Sequence, residues 1–90
     1  MNVLPGGLFG QHAPYAAFRP EHGVISHGHG HGLNGHLELV EHLGAESLLH
    51  VVLESGDTCI IKKERSAALP EINRAISIKV DGQHLIILDR

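Results

Sequence analysis

Ser47-Leu48-Leu49-His50-Val51-Val52-Leu53-Glu54, then Ser55-Gly56-Asp57, then Thr58-Cys59-Ile60-Ile61-Lys62-Lys63: the fold is decided by how this stretch is read. Leu49, Val51 and Leu53 fall on one face and Leu48, His50 and Val52 on the other, the two-residue period of a strand. Ser-Gly-Asp is turn chemistry, because short polar side chains and glycine accept the backbone angles of a tight reversal. Thr58–Lys63 is rich in β-branched residues and resumes the strand pattern. The pair reads as a hairpin.

The same texture extends toward the C-terminus. Ser66–Arg74 is a connection containing Pro70. Ile76, Ile78 and Val80 then alternate with Ser77, Lys79 and Asp81, the clearest half-buried strand of the chain. Asp81-Gly82 is a hairpin turn signal. His84–Asp89 is a last strand, apolar on both faces and so expected to be covered on both. Toward the N-terminus, Leu37–Glu46 is ambiguous. Leu39, Val40 and Leu43 would share a helix face with Gly44 as a C-cap; the short strands and turn signals on either side favour β. Tyr15–Arg19 predicts a short strand stopped by Pro20. Residues 23–35 hold five of the eleven glycines and read as a mobile Gly/His-rich loop, since ordering glycine is entropically expensive. Residues 1–14 read as an irregular lead-in, anchored by Val3 and Leu4. Five to six short strands in 90 residues predict an all-β fold, a small OB-like β-barrel, because closure removes exposed strand edges.

The composition narrows the function. Ninety residues make one domain, 1–90, of limited core. The net charge is −3 with histidines neutral, so there is no basic footprint for nucleic acid. Phe9, Tyr15 and Phe18 are the only aromatic rings besides histidine, too few for a base-stacking platform. Cys59 is the single cysteine, which excludes an internal disulfide and fits a reducing cytoplasm. No apolar run approaches the ~20 residues of a membrane-spanning helix, and the first residues lack the pattern of a secretory signal.

Two segments invite chemical readings. In His27-Gly28-His29-Gly30-His31, residues two apart share one side of an extended backbone. Three imidazoles would then approach one zinc, nickel or copper ion. Glycines at every second position supply no rigidity, so the expected affinity is weak and adventitious, with no metal required for folding. In Arg19-Pro20-Glu21, proline fixes its own backbone and biases Arg19 toward extension. Arg19 and Glu21 would then anchor loops by charge-assisted hydrogen bonds, or Arg19 would hold an anion. Catalysis has little support: Ser26 beside His27 is adjacency and not triad geometry, and Cys59 lies in an apolar strand. The chain has no G-x-x-x-x-G-K-[ST], hence no phosphate cradle.

Four segments, in order, resemble one family. Met1-Asn2-Val3-Leu4-Pro5-Gly6 resembles an M-N-x-x-x-G segment; Phe18-Arg19-Pro20-Glu21-His22 resembles G-x-R-P-E-H; Leu37–Glu46 resembles an apolar strand leading into E-x-L-G-x-E; His84-Leu85-Ile86-Ile87-Leu88-Asp89 resembles a terminal H-L-x-x-F-D. These are segments of the TOBE (transport-associated OB) domain of ABC-importer ATP-binding subunits of the sugar and glycerol-phosphate type. Leu88 departs from the usual Phe, and the His-Gly run has no counterpart. The resemblance implies a non-catalytic accessory domain with no cofactor, cytoplasmic and peripheral to the inner membrane through the transporter complex. It implies a homodimer, and as partners a parent ATPase domain, permease subunits and a regulatory protein. An excised domain or a truncated product is expected. The alternative is a stand-alone metal- or small-ligand-binding module.

Overall fold

The computed structural model describes residues 1–89. Along these residues run β1 (Asn2–Pro5), a 3-10 helix (Gly6–Phe9), β2 (Tyr15–Phe18) and a second 3-10 helix (Pro20–His22). Then come β3 (Gly23–His27), β4 (Leu33–Leu43), β5 (Glu46–Leu53), β6 (Thr58–Glu64), β7 (Ala75–Val80), a third 3-10 helix (Gly82–His84) and β8 (Ile86–Leu88). All pairings are antiparallel. They make a three-stranded sheet, β1-β2-β8, and a five-stranded sheet, β3-β7-β4-β5-β6. The fold is all-β, a small OB-like barrel.

The β5–β6 hairpin forms as its alternation requires. Leu49, Val51 and Leu53 point inward, with Cys59 and Ile61 beside them from β6. The turn is closed by Leu53 N–H donating to Asp57 O at 2.8 Å, and Gly56 adopts φ +91°. Ile76 and Ile78 of β7 and Leu37 of β4 complete one side of the core; Leu4 and Phe18 bring in the small sheet. Each fully buried side chain of this size contributes roughly 1.5–3 kcal/mol relative to exposure.

The two sheets are stitched at one seam. Asn2 donates from Nδ2 to Ile60 O at 2.7 Å and accepts from Ile60 N–H on Oδ1 at 2.8 Å. A side-chain amide thus pairs with the edge of β6 as another peptide would, and part of that edge is satisfied. Asn2 is itself buried.

Several expectations are corrected. Residues 1–14 are not an irregular lead-in, since β1 pairs along its whole length with β2. Leu4 is anchored in the core, whereas Val3 is exposed. The loop expected over 23–35 shrinks to residues 28–32, because Gly23–His27 pairs with β7 and Leu33 already opens β4. Gly23 is required there by close packing: a Cβ would collide with Ile61 and crowd the Phe18 ring. Leu37–Leu43 is strand, the reading that the flanking strands and turn signals favoured, and the helical alternative falls. A register shift between Leu37 and Leu39 breaks its alternation, and Gly44, at φ +62°, turns the β4–β5 hairpin instead of capping a helix. Asp81-Gly82 does not join two neighbouring strands, because β7 and β8 lie in different sheets. Asp81 instead caps the third 3-10 helix, accepting from Gln83 N–H at 3.1 Å.

Candidate functional site

The signature segment after β2 is built by its proline. Arg19 is extended (φ −75°, ψ 145°) and Pro20 opens the 3-10 helix, which closes with His22 N–H donating to Arg19 O at 2.9 Å. Gly23 then enters β3 between Phe18 and Ile61. Glu21 is fully exposed. Its carboxyl is held below the usual range chiefly by a hydrogen bond from its own backbone N–H, with smaller help from Lys62, His22 and Arg19. Neither Arg19 nor Glu21 forms an ion pair or a side-chain hydrogen bond to another residue among the described residues. The segment orders the backbone through Pro20 and Gly23 and leaves the Arg19 guanidinium toward solvent.

The same segment meets the terminal one. The imidazoles of His22 and His84 stack with centroids 3.8 Å apart and planes 20° from parallel. The four segments therefore have physical roles. Asn2 stitches the sheets, and Gly6 lets the chain approach the Ala13 carbonyl where a Cβ would collide. Neither the Asn2 clasp nor the histidine stack was visible in residue patterns, since both join distant parts of the chain.

The histidine run does not converge. His27 ends β3 opposite Ile76. Gly28 then reverses the chain at φ +76°, its N–H donating to Ala75 O at 2.8 Å. His29 Nδ1 lies 3.3 Å from Glu54 Oε1, and His31 is exposed. Gly30 N–H donates to Asn34 Oδ1 at 3.0 Å, which draws the loop toward β4. Among the described residues no group of three or more His, Cys, Asp or Glu side chains gathers as metal ligands. A strand end and a left-handed glycine separate the imidazoles that a continuous extended segment would have aligned.

Other reactive side chains are structural here. Burial pushes the Cys59 thiol up to about 12, so it is no nucleophile at neutral pH. His42 Nδ1 shares a 2.8 Å hydrogen bond with Ser47 Oγ. Ser47, however, is completely buried. The neighbouring carboxylate, Glu41, pairs with His50 Nε2 at 2.5 Å and so does not orient His42.

The broadest chemical feature is apolar. On one face of the small sheet, Val3, Ala17 and Ile86 form one row, with Ala17 fully buried between its neighbours, and Pro5, Tyr15 and Leu88 form the next. Val3 is 54%, Tyr15 45% and Ile86 40% exposed. The expectation that the last strand is covered on both faces fails within this chain, because Ile87 on its other face is also 44% exposed. A second feature is an open cleft of about 720 Å³ between the first 3-10 helix and β7. Leu8, Phe9, Val24, Leu33 and Val80 line it, with Lys79 and Asp81 among its polar residues.

Among the described residues, no helix is long and apolar enough to cross a membrane. No curated protein matches the chain. A family model described as the TOBE domain matches residues 16–88, most of the chain and all but the first of the eight strands. With that match, and with four signature segments that each have a place in the barrel, the chain belongs to the TOBE domain family.

Proposed function

We propose that this TOBE domain is a non-catalytic accessory and regulatory module of an ABC-importer ATPase subunit for a sugar or related solute. It works in the cytoplasm, held at the inner membrane through the transporter complex, and supports dimerisation of the subunit. It needs no cofactor of its own. The family match and the collinear segments support the importer reading. The observation that carries the dimerisation role is the outward face of the β1-β2-β8 sheet, where Val3, Tyr15 and Ile86 stand open to water. A domain with a limited core gains most from covering such a face, and a second copy offers a matching apolar surface.

The experiment is light scattering of the chain across micromolar concentrations, with Val3→Asp and Ile86→Asp alongside. Self-association of the wild type, lost in both variants while each keeps its β-rich circular dichroism, is the expected result. A strict monomer at high micromolar concentration would overturn it.

The cleft beside Phe9 favours a second reading, a stand-alone small-ligand-binding module. The two readings separate in the genome and in the calorimeter. An ATPase-coding frame continuous with this segment supports the first; saturable binding of a small molecule by an independently expressed chain supports the second.

A further inference from the structure

His22 ends the 3-10 helix that follows β2, and His84 ends the one that precedes β8. Their stacked rings therefore tie together the approaches to two paired strands. β8 has little else to hold it. It spans three residues, pairs with β2 alone and leaves Ile86 40% and Ile87 44% exposed. An element that buries so little apolar surface opens at a low free energy, so the contact at its entry has leverage over it.

We propose that the His22–His84 stack is a pH-sensitive latch, in which neutral rings hold the C-terminal strand on β2 and protonation of both rings releases it. The proposal is independent of the importer reading. Two neutral rings attract by stacking, and one charged ring over a neutral one is tolerated. Two imidazolium ions at this separation repel. Histidine is the side chain that gains its charge most readily when a neutral solution is made acid.

The surrounding charges agree with this. Glu21 lies next to His22 in its 3-10 helix, and its carboxylate stays ionised through the window. Lys62 of β6 and Arg19 act on the same carboxylate. Asp81, the N-cap of the 3-10 helix that His84 ends, uses Oδ1 to accept from Gln83 N–H. None of these carboxylates forms an ion pair with either ring among the described residues. A first proton is accommodated by the nearby negative charge, and a second is left uncompensated. The sign follows: the contact is intact at neutral pH and is lost as pH falls.

The test is a nitrogen-15 amide titration of the chain from about pH 7.5 to about pH 5 by nuclear magnetic resonance. The amides of Ile86, Ile87 and Leu88 are expected to leave their strand-paired shifts as pH falls toward about 5, while those of β5 and β6 stay. In His84→Phe and His22→Phe, which keep a ring and remove its charge, β8 is expected to stay paired across the range. Strand-paired β8 amides at pH 5 in the wild type would overturn the proposal. So would identical release in the wild type and both variants. If a variant does not fold, the wild-type titration decides alone.

Discussion

Asn2 uses both ends of its side-chain amide on the backbone N–H and C=O of one residue, Ile60. Few substitutions can replace it, because the site needs a donor and an acceptor at fixed spacing in a partly buried place. Asn2→Ala leaves a buried edge N–H and C=O without partners. It is expected to destabilise by about 1–3 kcal/mol, read as a lower urea midpoint with unchanged m-value. Asp keeps the acceptor but sets a carboxylate oxygen against the Ile60 carbonyl, and should destabilise at least as much as Ala.

Cys59 makes a prediction of opposite kind, about pH. Its thiol is raised from 9.0 to about 12 by burial. Between those values the unfolded chain has released a proton that the native chain retains. The stability linked to Cys59 is therefore full below about pH 9 and declines as pH climbs toward about 12. Cys59→Val, which keeps the packing, should flatten that decline. The difference between wild-type and variant urea midpoints at about pH 8 and about pH 10.5 isolates it from other titrating groups.

At the scale of elements, the His-Gly loop is a light attachment. His27, His29 and His31 are all exposed, and the only ion pair among them in the described residues, His29 with Glu54, has both side chains more than half in water. Such pairs contribute about 0–1 kcal/mol. Replacing all three histidines with Ala should leave the melting temperature nearly unchanged and remove the weak affinity for nickel, copper or zinc. A melting temperature that drops on adding a chelator to the wild type would show a built metal site instead.

What the sequence disclosed about the elements depended on how regular each was. β5 and β6 bury every second residue, and there alternation alone fixes which face is buried. β7 alternates in sequence, yet Ser77 is buried along with Ile76 and Ile78. β4 was ambiguous because its register shift between Leu37 and Leu39 lies inside the alternation. β3 was hidden because Gly23 looks like loop material, although its glycine is there for tight packing against Ile61. Of the candidate site, the Arg19-Pro20-Glu21 backbone was legible from proline stereochemistry. The contacts across the barrel, Asn2 to Ile60 and His22 to His84, were not, since no local spacing encodes them.

At the scale of the whole molecule, the barrel offers an apolar face and a cleft but no phosphate-binding loop. The chain is expected to show no saturable ATP binding by calorimetry at micromolar concentration and no ATP hydrolysis, whatever its oligomeric state. Micromolar ATP affinity would mean that the cleft between Phe9 and Lys79 accepts nucleotides, and the accessory reading would need revision.

Asn34 is followed by Gly35, a pair in which the backbone nitrogen of glycine readily attacks the asparagine amide and converts it to aspartate or isoaspartate. Here the attack is obstructed twice. Gly35 is locked in β4 beside Val52 and Leu53, and the Asn34 side-chain oxygen is engaged by Gly30 N–H. Chemical ageing at this position therefore needs β4 to loosen and the loop to lift together. The slow appearance of isoaspartate at residue 34 in stored protein becomes a clock for that joint opening, on a timescale of days that faster methods do not reach.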